Sequence, residues 1–320
     1  MLDLNNTSIN PLVFILVGFP GLEAFHIWIS LPFCAMFAIA VSGNVMLLLT
    51  IKTEQSLHKP MFFFLSMLAA TDFIISVTIM PKMLSLFWFN SSEIVRDLCL
   101  LQMFFIHTFT CMESGVLVAM AFDRYVAICN PLRYAIVLTH MLVTKLGLLA
   151  FFRSLILVIP FPVLAKRLLF CDRNVISHTY CDHMAVVRLA CVDFTVNSMY
   201  VLIVAVSTGA LDILFIALSY TSILRAVLRL PSKEAQHKAF STCTAHILVI
   251  LVFYTPCLFS TLTYRYGHHV PPNFQILMSN LYLLLPPMFN PLVYGIKAKL
   301  LRQRVLSMFS KKWVVSEDYT

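Results

Sequence analysis

The chain has 320 residues, of which 60% are hydrophobic and 12% are charged, and its formal net charge is +8. A soluble domain carries about 25% charged residues, so this composition excludes an ordinary soluble protein and indicates a membrane protein. The basic residues are divided among several loops, which argues against a nucleic-acid-binding surface and favours contact with anionic membrane lipid.

Seven apolar segments are long enough to cross a membrane, because a spanning helix takes about 20 apolar residues. The sequence therefore predicts an all-α membrane protein, a seven-transmembrane helix bundle with a short C-terminal amphipathic helix. We divide it into an extracellular N-terminus (1–26), a transmembrane domain (27–296), and a cytoplasmic amphipathic helix with the tail (297–320). The predicted spans cover about 27–51, 60–86, 99–126, 140–164, 196–224, 239–264 and 273–296.

The first residues lack the features of a cleavable signal peptide. Met1 to Asn10 contains no Lys or Arg, and the apolar run Leu12–Phe19 ends at Pro20-Gly21. We therefore expect the first span to act as its own insertion signal.

Lysine and arginine residues predict the orientation of the chain. Fifteen of the 23 lie on the side that is cytoplasmic if the N-terminus is outside. The positive-inside rule thus places the N-terminus outside and the C-terminus in the cytoplasm of a multi-pass plasma-membrane protein. The sequons at Asn5, Asn6 and Asn90 fall outside in this topology, as N-glycosylation requires.

Four ionisable side chains lie deep within predicted spans, where such residues are rare and mark functional sites. Asp72, Glu113, Arg153 and Asp212 share one layer, about 16–20 Å from the inner ends of their helices. We expect Asp72 and Glu113 to line a hydrated site that can hold Na⁺ as an allosteric ion, with Arg153 offsetting Glu113. A purely structural polar cluster is the alternative, and no other cofactor is expected.

The third span ends in Met120–Cys129, which presents Asp123, Arg124 and Tyr125 together. An Asp-Arg pair where an apolar segment meets a basic loop is costly to place in lipid, so it needs a role. Its position in the third of seven spans indicates a signalling receptor.

The loop at about 165–195, between the fourth and fifth spans, is too long to be a simple connector, and we expect it to cap the bundle. It contains Cys171, Cys181 and Cys191, and Cys99 begins the third span on the same side. Four cysteines permit three disulfide pairings. The other five cysteines are expected to be small buried apolar residues.

Two prolines predict kinks in the last two spans. Pro256 and Pro291 each remove a backbone hydrogen bond, which gives a helix a place to bend. After Tyr294, apolar residues alternate with basic ones, which predicts a helix lying on the inner membrane face.

Six motifs occur in chain order. They are Gly43-Asn44, Pro60–Ser66 followed by Asp72, Met120–Cys129, Ser219-Tyr220, Lys238–His246 and Asn290–Tyr294. Together they resemble the olfactory receptors, a branch of the rhodopsin-like G-protein-coupled receptors, over essentially the whole chain. Phe122 stands where the family usually has Tyr, and Tyr254 stands two residues before Pro256, where the general receptor pattern has Trp.

The segment Gly18–Glu23, with His26 and Trp28, resembles the class I, or fish-like, subgroup. The subgroup resemblance implies the disulfides Cys99–Cys181 and Cys171–Cys191 and polar, often carboxylic, odorants. It also implies a G protein of the stimulatory type, which raises cAMP.

We expect the odorant to bind between the outer halves of the third to seventh spans, under the long loop. Arg265 falls where some class I receptors hold a carboxylate, and a guanidinium can do so through two parallel hydrogen bonds. His107 and Thr261 are expected to add polar contacts. The aliphatic tail is expected to lie along Val201, Val204, Ala205, Leu258, Met278 and Leu281. The alternatives are that Arg265 reaches outer water or pairs with Asp182 or Asp193, that His107 is structural, and that the ligand is a non-acid odorant or metabolite.

Binding must favour one arrangement of the bundle over another to produce a signal. We expect the sixth span to bend near Pro256, with Tyr254 beneath the ligand, so that its inner end moves away from Arg124. The residues expected to act in activation and G-protein coupling are Asp123, Arg124, Tyr125, Tyr220, Lys238, His246, Tyr254, Pro256, Asn290, Pro291 and Tyr294.

Two other classes of function compete with a receptor. An intramembrane enzyme is disfavoured because the sequence has no zinc-protease, aspartyl or serine nucleophile motif. A transporter or proton pump would use membrane carboxylates, but no internal repeat is visible and the receptor motifs remain unexplained by it.

Overall fold

The structure is a computed structural model that describes residues 10–171, 173–266 and 269–297, without the side chains of 238, 242, 264–266, 296 and 297. Seven helical segments are long and apolar enough to cross a membrane, as the sequence predicts. They are α1 (His26–Thr53), α2 (Pro60–Phe89), α3 (Arg96–Cys129), α5 (His140–Val158) continued by α6 (Pro160–Lys166), α8 (Thr195–Leu228), α9 (Lys233–Tyr266) and α10 (Pro272–Lys297). Two short helices, α4 (Tyr134–Val137) and α7 (His183–Val187), lie in loops. The predicted amphipathic helix at 297–320 falls outside the described residues beyond Lys297.

The ends of α2 follow from its sequence. Pro60 occupies the first turn, where its missing N–H costs nothing. Asn90 ends the helix in the left-handed conformation (φ 51°), which Asn tolerates better than most residues. Asn90 is exposed. Its glycosylation stays a prediction, as does that of Asn5 and Asn6, which lie outside the described residues.

The fourth span is two helices rather than the single one that we expected. α5 ends at Val158 and α6 begins at Pro160. Pro160 has no N–H to donate to the preceding turn, so the helical hydrogen-bond ladder is interrupted there.

A small sheet lies at one end of the bundle, which the all-α prediction did not include. Its strands are β1 (Val13–Leu16), β2 (Glu93–Val95) and β3 (Val175–Ile176), in the order β2-β1-β3. β1 is antiparallel to β2 and parallel to β3. Phe14 and Leu16 of β1 are fully buried, so the N-terminal segment is part of the folded core. We call the described residues of 10–22 and 167–194 the lid, and this end of the bundle the lid end.

Helix α3 is central, since it packs against α2, α5, α6, α8 and α9. Small residues allow close helix contacts, as in other membrane bundles. A Cβ atom on Gly43 of α1 would lie 2.7 Å from the Pro291 Cβ of α10. A Cβ atom on Gly147 of α5 would lie 2.6 Å from the Met67 side chain of α2.

Candidate functional site

A cavity of about 420 Å³ lies beneath the lid. Helices α3, α5, α6, α8, α9 and α10 form its wall, and α7 of the lid lies against it. Most lining side chains are apolar or aromatic, with a few polar groups among them. This size and this lining are typical of sites for small organic ligands, which occupy about 300–1,000 Å³.

Six residues of the predicted ligand site line this cavity: His107, Thr261, Val201, Val204, Ala205 and Leu258. From α10, Tyr282 and Leu283 line the cavity, and the predicted Met278 and Leu281 are not among its lining residues. The reason is the rotation of α10. Asn280 is fully buried and accepts a hydrogen bond from Thr179 of the lid (2.8 Å), which fixes the inward face.

Arg265 lies in the last turn of α9. Its side chain is outside the described residues, so its role as a carboxylate anchor stays a prediction. Thr261, one turn earlier, is in the cavity wall. The backbone of the last turn of α9 therefore lies beyond Thr261, towards the lid end.

The cavity also reaches the outer surface of the bundle between α8 and α9. Val206 of α8 lines the cavity and is 56% exposed, and Leu258 of α9 lines it and is 51% exposed. A Cβ atom on Gly209 would meet nothing within 4 Å. In a membrane, this side of the cavity faces lipid rather than water.

An aromatic cluster closes the cavity on the side of the lid. The ring of His107 on α3 lies 5.1 Å from that of Phe161 and 6.4 Å from that of His183. Both ring nitrogens of His183 are buried without a hydrogen-bond partner. Burial lowers the pKa of His183 to about 3, with the nearby His107 as a smaller cause, so the ring is neutral. Sequence reasoning missed His183, because a loop has no periodicity that reveals which side chains turn inward.

The cavity floor is a polar network that connects four helices. Ser114 of α3 donates to Asp212 of α8 (2.5 Å) and shares a hydrogen bond with the Tyr254 hydroxyl of α9 (2.7 Å). Arg153 of α5 donates to both oxygens of Asp212, at 2.6 and 2.9 Å. A ligand in contact with Tyr254 is therefore linked to α3, α5 and α8.

The predicted partner of Arg153 was wrong: it pairs with Asp212 and not with Glu113. Gly115 gives the physical reason, because a Cβ atom there would lie 3.1 Å from the Arg153 guanidinium. The missing side chain leaves a passage across α3, through which Arg153 reaches α8.

A second polar site lies between α2, α3 and α10. Asn290 donates to one oxygen of Asp72 (2.8 Å), and the other oxygen is buried without a partner. Glu113 also has a buried, unpartnered oxygen. Unsatisfied carboxylate oxygens suit a small cation or a shared proton. Among the described residues, no cluster of three or more His, Cys, Asp or Glu side chains could hold a metal ion.

At the opposite end of the bundle, which we call the Arg124 end, Arg124 pairs with its neighbour Asp123. Tyr134 of α4 donates to the other oxygen of Asp123 (2.8 Å), a contact that sequence reasoning missed. Tyr220 of α8 and His246 of α9 share a hydrogen bond of 2.8 Å. The described side chains at this end are thus held by contacts within the bundle, an arrangement that we call closed.

The remaining predicted coupling residues lie near the same end or in the helices that lead to it. Tyr125 packs against a buried cluster of Ile223 and Val227 of α8 and Cys243 of α9. Tyr294 is buried and its hydroxyl has no partner. Pro256 and Pro291 lie within α9 and α10. Lys238 is in α9, but its side chain is outside the described residues.

One apolar side chain at the Arg124 end is almost fully solvent-exposed. Leu132, in a short turn after α3, is 96% exposed, and Ile136 of α4 is 76% exposed. Isolated exposed apolar residues are common, but two of them beside an Arg-Asp pair suit a protein-binding surface. No sequence pattern distinguished them from other loop residues.

Two disulfides fasten the lid. Cys99 of α3 is bonded to Cys181, and Cys171 is bonded to Cys191. This is the one of the three possible pairings that the family resemblance implied. Cys34, Cys111, Cys129, Cys243 and Cys257 are free.

Comparison with known proteins gives a consistent result. A family model described as "Olfactory receptor" matches residues 33–312. Olfactory receptor 52K1 from Homo sapiens is 52% identical over 312 residues, covering 98% of this chain and 99% of that protein. Olfactory receptor 52N2 from Homo sapiens is 52% identical over 303 residues, covering 94% of each.

Proposed function

Because the chain belongs to the olfactory receptor family, it is an odorant receptor of the G-protein-coupled type, and we propose that its ligand is a carboxylic acid. We further propose that it activates a stimulatory G protein and raises cAMP. The members of this family are receptors rather than enzymes, and the seven apolar helices make the chain a multi-pass membrane protein.

The observation that carries the ligand proposal is the shape and lining of the cavity. Its apolar wall suits an aliphatic chain, and among the described lining residues the buried polar groups without a hydrogen-bond partner are Thr110 of α3 and His183 of the lid. Arg265, one turn beyond Thr261 along α9, is the cation that we propose for the carboxylate. Each buried methylene adds up to about 0.8 kcal/mol of binding free energy, so potency increases with chain length until the cavity is full.

The signal is proposed to start at Tyr254. Its hydrogen bond to Ser114 holds α9 against α3 at the cavity floor. A ligand that favours a different position of Tyr254 shifts the bundle towards another arrangement. Pro256, two residues away, supplies the place for α9 to bend. Movement of α9 away from Tyr125 then exposes Arg124 for the G protein, with Leu132 as an apolar contact beside it.

The proposed orientation places the lid outside the cell. The two disulfides of the lid support it, since such bonds persist in oxidising compartments. The excess of Lys and Arg at the Arg124 end supports it independently.

We also propose that Asp72 and Glu113 hold Na⁺ as an allosteric ion. The support is their burial, 0% and 2% exposed, together with the unpartnered oxygen on each. In the closed structure such an ion would offset the repulsion between the two carboxylates and so stabilise the closed arrangement.

The proposed function is tested by a series of straight-chain carboxylic acids of graded length, with cAMP as the readout. Cells express the wild type, Arg265→Ala, or Arg173→Ala, a control that removes an exposed arginine of the lid. We expect the potency of the acids to rise and then fall with chain length. We expect Arg265→Ala to abolish the response to the acids, and Arg173→Ala to leave it unchanged. Undiminished acid responses of Arg265→Ala at normal surface expression would reject the anchor. The absence of a wild-type response to every acid of the series, at normal surface expression, would favour a non-acid odorant.

A further inference from the structure

The lid contains a segment that is as buried as the core of the bundle. His178, Thr179, Tyr180, Cys181 and His183 are each at most 3% exposed. The Cys181 N–H donates to the Gln102 side chain of α3 (3.0 Å), and its sulfur is bonded to Cys99. The segment thus enters the bundle at one fixed point, with a histidine on either side.

His178 holds its position as a neutral ring. Its Nδ1 accepts a hydrogen bond from the Thr179 N–H (3.0 Å), so the ring proton is on Nε2, which is buried without a partner. The titratable group against its ring is Tyr180, at 4.2 Å between ring centroids. The His178 carbonyl accepts from the Gly18 N–H of the N-terminal segment (3.1 Å). A proton on Nδ1 would place two hydrogen-bond donors, the Nδ1–H of His178 and the N–H of Thr179, opposite each other.

His26 fastens the N-terminal segment in the same way. Its Nε2 accepts from the Phe19 N–H (3.4 Å), and its ring packs on Phe87. A Cβ atom on Gly18 would lie 2.9 Å from this ring, so the chain passes directly over it. The charged group near His26 is Glu23, which is exposed and accepts from the Gly21 N–H (2.9 Å). Its attraction for a protonated His26 is weakened by solvent.

His183 fastens the lid over the cavity. It faces Phe161 of α6 (5.4 Å between centroids) and the titratable His107 of α3. The acid next to it, Asp182, accepts from the Ala185 N–H at the start of α7 (3.1 Å). A proton on His183 would be placed in an aromatic cluster with a second imidazole opposite.

We propose that the lid is an acid-sensitive latch: protonation of His26, His178 and His183 releases the N-terminal and loop segments from the bundle and uncovers the ligand cavity. The Cys99–Cys181 disulfide stays intact, so the opening is local and reversible. This inference does not depend on which odorant binds.

The direction of the effect follows from linkage between protonation and lid closure. Burial lowers the pKa of both His178 and His183 to about 3 in the closed lid, from the usual value of 6.5. Below pH 6.5 the open lid therefore binds more protons than the closed lid, and opening is favoured increasingly as the pH falls. Well above pH 6.5 both forms are almost entirely neutral at these positions, and the latch stays closed. At about pH 5.5 each of the two histidines shifts the equilibrium about tenfold towards the open lid.

Hydrogen–deuterium exchange of the purified receptor in nanodiscs tests the latch without a ligand. Exchange is measured between about pH 7.4 and 5.5 and corrected for the intrinsic pH dependence of amide exchange, with α2 peptides as the internal reference. The combined variant is His26→Gln, His178→Asn and His183→Leu. The amide oxygens of Gln and Asn replace the accepting ring nitrogens of His26 and His178. Leucine replaces the ring of His183, whose nitrogens have no hydrogen-bond partner. The matched control is His269→Asn, which changes an exposed histidine at the lid end.

In the wild type and the control we expect protection of peptides from 10–22 and 173–182 to fall by about tenfold or more at the lower pH. We expect the combined variant to keep its protection, and each single variant to lose less than the wild type. If the combined variant does not fold, the proposal is tested by the single variants and by the pH at which wild-type protection begins to fall, which we expect at about pH 6.5. Constant protection in the wild type, or an equal loss in the histidine variants, would overturn the proposal.

Discussion

Arg153 of α5 and Asp212 of α8 form a two-pronged ion pair across α3, with hydrogen bonds of 2.6 and 2.9 Å. The pair is largely buried, with 28% of the Arg153 side chain and 3% of the Asp212 side chain exposed. Asp212 also accepts a hydrogen bond from Ser114, which shares a second hydrogen bond with the Tyr254 hydroxyl. The cavity floor therefore depends on a charge pair between helices that are distant in sequence.

Removing one partner of this pair is expected to destabilise the receptor by about 3–5 kcal/mol, because the other charge is left buried and unpaired. Arg153→Met and Asp212→Asn should both lower the melting temperature of the purified receptor. The double variant Arg153→Met with Asp212→Leu should recover much of the loss. The control is Lys166→Met, which breaks an exposed pair with Asp97 (58% and 66% exposed) and should have little effect. Equal melting temperatures for Asp212→Asn and Lys166→Met would contradict the prediction.

The contact of α1 with α10 predicts a glycine requirement. A Cβ atom at position 43 would lie 2.7 Å from the Cβ of Pro291, a ring that cannot move aside. Gly43→Ala is therefore expected to destabilise the receptor by about 1–3 kcal/mol through overpacking. Gly209→Ala is the control, since no atom lies within 4 Å of its added methyl group. The measurement is the melting temperature of both purified variants. A melting temperature of Gly43→Ala that is no lower than that of Gly209→Ala would refute the close contact.

Leu132 predicts an apolar contact with the G protein. Burial of a leucine contributes about 1.5–3 kcal/mol, so Leu132→Asp should weaken G-protein association by about 10-fold or more. Leu132→Met keeps the apolar character and should couple normally. Arg124→Ala should remove cAMP output while ligand binding remains. The measurement is agonist-stimulated G-protein association at equal surface expression, and normal association of Leu132→Asp would exclude the contact.

The Asp72 and Glu113 site predicts a sodium effect. An ion that neutralises these carboxylates stabilises the closed arrangement, so sodium should lower ligand-independent cAMP production in the wild type. Asp72→Asn and Glu113→Gln should lose this dependence. Potassium at the same ionic strength is the control for screening by salt. A sodium response that survives both substitutions unchanged would reject the ion site.

The sequence predicted the seven spans because the bilayer imposes length and apolarity on each one separately. It also placed His107, Thr261 and four apolar residues in the cavity wall, since a known helix direction fixes their depth. The partner of Arg153 was missed because it depends on the gap at Gly115, a contact among three helices. The sheet and His183 were missed for a related reason. β1 pairs with segments about 80 and 160 residues away, and no local pattern encodes such contacts.

The most direct test of the proposed ligand class compares a straight-chain carboxylic acid with its methyl ester of equal chain length. Both are applied to cells that express the wild type or Arg265→Gln, and cAMP is measured over a full concentration range. A carboxylate held by two charge-assisted hydrogen bonds loses both on esterification. We expect the acid to be strongly preferred by the wild type, and the preference to disappear in Arg265→Gln. Equal potency of acid and ester on the wild type, at normal surface expression, would contradict a carboxylic-acid receptor.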